Sequence, residues 1–366
     1  MATEETTSST ANGRRYEHLS SPDPVWLQVA EKHQVLEPLA DKLYSLPIEE
    51  FRKVPYKPPP LPANAPVIGK DVAVEQAEIT VRDGAKIAAR ICRPIERKDG
   101  SVLFFNIHGG GWTVGTPETE EAVSRQVAVQ NKAVVVSIDY RRAPEYPFPY
   151  ALNDSKDALL WCKDHAKSLG IDPERLIIGG GSAGANIASP ILPLYPVTKP
   201  RTNIATVTQA AALSHIARDE GIGGIIGQVL NIPVTCHPDH FPTSKYEYHS
   251  FEQNAGSPIV NAFRMRKFWG FYLPTADANP LASPLLSKSF TGLPPALVQV
   301  AGMDPLRDEG LAYAEELKAN GVDVVLNVYK GLPHAFYIYP DLPPSARYTQ
   351  SVVDWIEQLL AKTGGQ

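Results

Sequence analysis

From residue 73 onward the apolar positions switch repeatedly between a period of two and a period near 3.6, and this predicts strands alternating with helices. AVEQAEITV (73–81) and AKIAARICR (85–93) flank the turn residues Asp83 and Gly84 and read as a hairpin. SVLFFNI (101–107), AVVVSIDY (133–140), RLIIGG (175–180), GIIGQVLNI (224–232), PALVQVAG (295–302) and DVVLNVY (323–329) are short, almost wholly apolar runs. The first two suit strands buried on both faces, and the other four read as further strands. Residues 117–130 suit a helix. Leu152, Leu159, Cys162, Ala166 and Leu169 share a helical face that Gly170 can end. Leu311, Ala314 and Leu317 line a helix closed by Gly321, and Tyr348, Val352, Ile356 and Leu359 line a last one. Buried strands separated by helices predict an α/β fold, a mostly parallel eight-stranded sheet with helices on both faces. Ligands of such sheets sit beyond the carboxyl ends of the strands.

Three stretches depart from this alternation. Residues 1–20 are polar and predict a disordered tail. Residues 21–70 hold Trp26, Val29, Ala30, Leu36, Leu39 and Leu43 at helical spacing within 24–53, then VPYKPPPLPANAPV (54–67), an extended Pro-rich connector. Residues 234–275 carry Phe241, Tyr246, Tyr248, Phe268, Trp269, Phe271 and Tyr272 and are too long for a simple connection. They predict a helical cap over the site, which leaves 71–233 and 276–366 as the core. Inside that core, 189–209 holds Pro190, Pro193, Pro196 and Pro200 and excludes one regular helix. The flanking ANIA and AALSHIARDEG read as halves of a single helix. The stretch is therefore a surface excursion or a translated intron.

Composition narrows the class. Of 366 residues 43% are apolar, enough for a large core, and a net charge of −5 without a basic block excludes nucleic acid as a partner. No apolar run is long enough to predict a membrane span, and the N-terminus lacks the apolar core of a secretory signal. Cys92, Cys162 and Cys236 are odd in number and widely spaced, which points to a reducing, cytoplasmic setting. Cys236, His237 and His240 lie close in CHPDH, but Pro238 disrupts a metal geometry, so neither metal nor cofactor is expected. A homodimer is compatible with all of this.

The candidate chemistry falls at strand ends. GGSAG (180–184) follows RLIIGG and places Ser182 on a sharp strand-to-helix turn that needs small residues on either side. HGGGW (108–112) follows SVLFFNI. Consecutive glycines weaken any regular element but let backbone N–H groups approach a ligand, as an oxyanion hole requires. Gly109, Gly110 and Ala183 are the expected donors, with His108 and Gly111 in support. His334, in GLPHAF, is the expected base for the Ser182 hydroxyl, and Asp304, in GMDPLRDEG, its orienting acid; Ser182, Asp304, His334 is the chain order this arrangement uses. Asp308 and Glu309 are expected only to open the next helix.

With HGGGW, DYRRAPEYPFP, GGSAG, DPLRDEG and HAF in this order, residues 75 to 360 resemble the hormone-sensitive-lipase-like branch of the α/β-hydrolases, and fungal members in particular. The resemblance implies hydrolysis of small to medium apolar carboxylic esters or lactones through an acyl-enzyme, in fungi sometimes within secondary metabolism. It also implies a cap built from N-terminal helices plus an insertion after the sixth strand. The chain departs from the usual GDSAGG, with Gly181 for the acid and Ala185 for the last glycine, and from DYRLAPE, with Arg142 for leucine. Two alternatives share the scaffold: a lyase or cyclase of a natural-product pathway, and a small-molecule binding protein without catalysis.

Overall fold

The computed structural model describes residues 14–33, 37–96, 99–186 and 210–363. The 189–209 stretch lies outside these residues. Eight strands form one sheet: β1 Val72–Thr80, β2 Lys86–Pro94, β3 Ser101–Ile107, β4 Val134–Asp139, β5 Ile171–Gly181, β6 Ile225–Asn231, β7 Ala296–Ala301 and β8 Val324–Tyr329. Their order is β1-β2-β4-β3-β5-β6-β7-β8. The hairpin β1/β2 and the pair β2/β4 are antiparallel, and all other pairs are parallel.

Side-chain alternation along the central strands feeds two cores. On β3, Leu103, Phe105 and Ile107 face one side of the sheet, and Val102 and Phe104 the other. The second side is covered by the helices Glu121–Gln130 and Pro343–Thr363, which bring Val123, Val127, Val352 and Ile356 against Phe104, Ile177 and Val229. The first side takes Tyr150–Asp164 and Arg307–Ala319, through Leu159, Cys162, Leu311 and Leu317. The helix predicted through 151–169 stops at Asp164 and resumes as Ala166–Leu169, where Gly170, at φ 72°, ends it.

One expectation is corrected. Residues 14–20, assigned to a tail on polarity alone, are fixed to the core. The carbonyl of Leu19 accepts from the Gly331 N–H at 2.8 Å, and the Tyr16 hydroxyl donates to Glu315 at 2.7 Å. The bond at Leu19 is backbone to backbone, which no side-chain pattern reports.

The N-terminal helices and the 234–275 insertion pack on each other. Arg264, on the helix Ala262–Tyr272, donates to Asp41 at 2.9 Å, and Tyr44 meets Phe268 edge-on at 5.4 Å. Lys267 bonds the Tyr44 carbonyl. Arg264 is buried while Asp41 is 41% exposed, so the pair is solvent-screened on one side. Asp41→Ala is expected to cost about 1 kcal/mol. In limited proteolysis it should open the 37–51 segment well before the sheet.

Candidate active site

The sequence GGSAG bends sharply because two glycines let it. A β-carbon at Gly180 would stand 2.7 Å from the carbonyls of Gly184 and Ile107, and one at Gly184 only 2.1 Å from the Ile107 carbonyl. Ser182 is held between them at φ 52°, a left-handed conformation that a non-glycine residue adopts only when its surroundings impose it. Its N–H is tied to the Asn231 carbonyl at 2.8 Å, and its own carbonyl accepts from Ala185 and Asn186. The hydroxyl is thereby aimed beyond the carboxyl edge of the sheet.

Three further strand ends converge on it. Asp304 follows β7 and His334 follows β8. His334 Nε2 lies 2.9 Å from Ser182 Oγ, and Nδ1 lies 2.7 Å from Asp304 Oδ2. A carboxylate only accepts, so Nδ1 carries the proton and donates it, while Nε2 accepts from the serine. Asp304 Oδ1 accepts from the Leu306 N–H at 2.9 Å, which fixes the plane of the carboxylate. Ser182, Asp304 and His334 are all buried. The expected serine, acid and base are thus in one hydrogen-bonded chain.

The glycine loop after β3 closes a fourth side. Gly110 and Gly111 have φ 118° and 56°. The Gly110 carbonyl accepts from Thr113 and Val114, which folds the loop into a tight turn. His108 packs against it: Nδ1 meets the Gly109 carbonyl at 2.7 Å and the ring stacks on Tyr140 at 4.3 Å. Trp112 stacks on Tyr272 with ring centroids 4.1 Å apart, so the loop is also held by the helix Ala262–Tyr272.

The N–H groups of the expected donors Gly109, Gly110 and Ala183, and that of Gly111, find no backbone acceptor among the described residues. The Gly109 N–H also favours the ionised form of the buried Glu120 carboxyl. Glu120 went unremarked in the sequence, hidden in the acidic run of residues 118–121. The missing acid at Gly181 was the only hint, and it names no substitute.

Asp308 and Glu309 begin the helix Arg307–Ala319 as expected, but they do more. Asp308 accepts the N–H groups of His249 and Ser250, each at 2.7 Å, and Glu309 that of Thr235 at 2.7 Å. Burial holds the Glu309 carboxyl well above the usual carboxylate range. Both acids therefore tie the 234–275 insertion to the strand end that supplies Asp304. The rings of His237 and His240 are engaged locally, His237 against Trp269 at 4.9 Å and His240 with the Ala276 carbonyl at 2.6 Å.

Over Ser182 lies a cavity of about 450 Å³ walled by Tyr44, Val114, Met265, Phe268, Ile338 and Tyr339. The arrangement offers a nucleophile with an attached base, unoccupied N–H donors nearby and an apolar chamber for a small organic molecule. No helix among the described residues is long and apolar enough to cross a membrane.

Glu120 gives this site a measurable pH signature. Burial, its largest cause, pushes the carboxyl from 4.5 up to about 7, against the opposing pull of Tyr337, Gly109 and His334. Between those values the folded protein keeps a proton that the unfolded chain has released. The stabilising share is complete below about pH 4.5 and is lost as pH rises through 7. Glu120→Gln should therefore gain stability over the wild type as pH rises from 5 to 8, by about 3 kcal/mol at most. Denaturant unfolding at each pH checks it.

The chain matches the family model described as alpha/beta hydrolase fold over residues 104–200 and 203–338. It is 32% identical over 286 residues to the carboxylesterase NlhH of Mycobacterium tuberculosis, covering 77% of this chain and 81% of that protein. With the versiconal hemiacetal acetate esterase of Dothistroma septosporum it shares 29% identity over 295 residues, 80% of this chain and 83% of that one. Its structure is similar to that of a hyperthermophilic esterase from the archaeon Pyrobaculum calidifontis, with a TM-score of 0.71 at 30% identity over 93% of this chain and 99% of that chain.

Proposed function

We propose a mechanism from one premise: this chain belongs to the alpha/beta hydrolase fold family, in its hormone-sensitive-lipase-like branch, and is a serine carboxylesterase. Ser182 Oγ attacks the ester carbonyl while His334 Nε2 takes its proton. Asp304 holds the imidazole in the required tautomer and stabilises the imidazolium, without itself taking the proton. His334 then protonates the leaving alcohol, and water releases the acyl group by the reverse route. The observation that carries this reading is the continuous hydrogen-bond chain Ser182–His334–Asp304 at the floor of an apolar cavity.

The oxyanion rests on the N–H groups of Gly110, Gly111 and Ala183. Gly111 stands here beside Gly110 in place of the Gly109 first expected, a choice supported by the pull of the Gly109 N–H on the buried Glu120 carboxyl. One such donor contributes on the order of 3 kcal/mol to transition-state stabilisation.

The cap consists of residues 24–53 and 234–275, and its side chains set the acyl pocket. A cavity of about 450 Å³ with walls such as Met265 and Phe268 suits small to medium apolar esters. The acetate in the name of the Dothistroma septosporum relative supports a short acyl group. The cytoplasm is the proposed compartment, in keeping with three buried, unpaired cysteines.

Hydrolysis of p-nitrophenyl acetate tests the assignment. Ser182→Ala should lower kcat by on the order of 10⁶-fold, and a fluorophosphonate probe should label the wild type at Ser182 alone. Native turnover surviving Ser182→Ala would favour a lyase or cyclase instead, and absence of labelling a binding protein. Phe268→Ala removes a ring from the cavity wall. It should shift the ratio of kcat/KM for octanoate over acetate esters upward by roughly tenfold.

A further inference from the structure

Glu120 has no part in the steps above, yet it stands beside all of them. It is 3% exposed and ends the short 3-10 helix Pro117–Glu120 that follows the glycine loop. Its sequence neighbours Glu118 and Glu121 both reach Arg90, whereas among the described residues no cation pairs with Glu120. Its hydrogen-bond partner is the Tyr337 hydroxyl, which donates at 3.3 Å, and the Gly109 N–H also favours its ionised form. Tyr337 is itself fixed by stacking on Tyr348 at 4.4 Å and 7°. Burying a carboxyl without a cation is costly, and a purely apolar residue would fill the space more cheaply.

The opposite wall of that space is Gly181. A β-carbon there would stand 2.5 Å from Glu120 Oε1 and 3.2 Å from the Tyr337 hydroxyl. Gly181 is not among the residues with positive φ, so the backbone does not demand glycine at this position. What excludes a side chain is the carboxyl of Glu120. The residue before the nucleophile and Glu120 are therefore complementary: a carboxyl grown from position 181 would enter the volume that Glu120 now fills.

Resting on the assignment of Ser182 as nucleophile, we propose that Glu120 is a positioning residue of the esterase, whose carboxyl locks the glycine loop against the nucleophile turn. By receiving the Gly109 N–H it sets the orientation of the peptides that follow, leaving Gly110 and Gly111 turned to the reacting oxygen. Its charge also lies close enough to His334 to interact with it, and so favours the imidazolium formed when Ser182 gives up its proton. With its carboxyl pushed up to about 7, only part of Glu120 is ionised at neutral pH.

The test is a double-mutant cycle on p-nitrophenyl acetate hydrolysis, with thermal melts alongside. Glu120→Ala and Gly181→Asp should each lower kcat by roughly tenfold or more, with KM within about twofold, since ground-state binding does not use the oxyanion donors. The double variant should recover kcat above either single one, because Asp at 181 enters the emptied volume. Singles that simply multiply in the double variant overturn the proposal. Glu120→Gln keeps the shape and an acceptor for Gly109 but loses the charge, so its kcat should fall less than that of Glu120→Ala at an unchanged KM. If Glu120→Ala does not fold, Glu120→Leu, close in size but without an acceptor, decides the matter, and wild-type kcat in Glu120→Leu would refute the role. Fluorophosphonate labelling of the wild type separates the two failures: no label removes Ser182 as nucleophile, whereas label with a multiplicative cycle removes Glu120 alone.

Discussion

Between the end of β3 and the turn that follows β5 there is no room for a β-carbon. Gly180 and Gly184 press against the Ile107 and His108 carbonyls, and this close approach forces Ser182 into its left-handed conformation. The strain is offset by what surrounds it: the bond to the Asn231 carbonyl, the parallel pairing of β5 with both β3 and β6, and the buried Ile178 and Phe105 beneath. The same contact fixes the distance between the nucleophile and the glycine loop, since that loop is the direct continuation of β3. The proposed nucleophile and oxyanion donors are thus positioned by sheet register, and a shift between β3 and β5 would misplace both together.

The base and its acid depend on a second set of constraints. Asp304 and His334 sit on adjacent loops after β7 and β8, and the 234–275 insertion buttresses the first. Asn254 donates to the Asp304 carbonyl at 3.0 Å, and Asp308, four residues on, receives two N–H groups of the insertion. The segment that walls the cavity over Ser182 therefore also holds Asp304, the proposed acid. The cavity wall and the Asp304 bond that orients His334 rest on one scaffold.

The sequence made the sheet and the serine, acid and base legible for one physical reason. Strands buried on both faces leave unbroken apolar runs, and reactive residues of a parallel sheet fall directly after them. The hairpin at Asp83 and Gly84, the run at 101–107 and the placement of Ser182, Asp304 and His334 all follow from that rule. What stayed hidden depends on contacts between distant segments. The bond from Gly331 to the Leu19 carbonyl involves no side chain. The binding of His249, Ser250 and Thr235 by Asp308 and Glu309 gives two helix-opening acids a second task that helix propensity already seemed to explain. The pull of the Gly109 N–H on the Glu120 carboxyl joins side chain and loop across eleven residues, and glycine's freedom of approach permits such a contact without naming it.

That last case concerns the elbow itself. A departure from a familiar motif, Gly181 where an acid is usual, reads in one dimension as a lost group. In three dimensions a carboxyl is still present beside the nucleophile, carried by Glu120, and glycine is what makes its entry sterically feasible. An acid arriving from the segment after the glycine loop differs from one mounted on the elbow in a definite way. Its backbone belongs to the segment that continues the glycine loop, whereas an acid at 181 would belong to the turn that carries the serine. The two arrangements bring a carboxyl to one space from opposite sides, which is why the side chain at 181 and the residue at 120 must be chosen together.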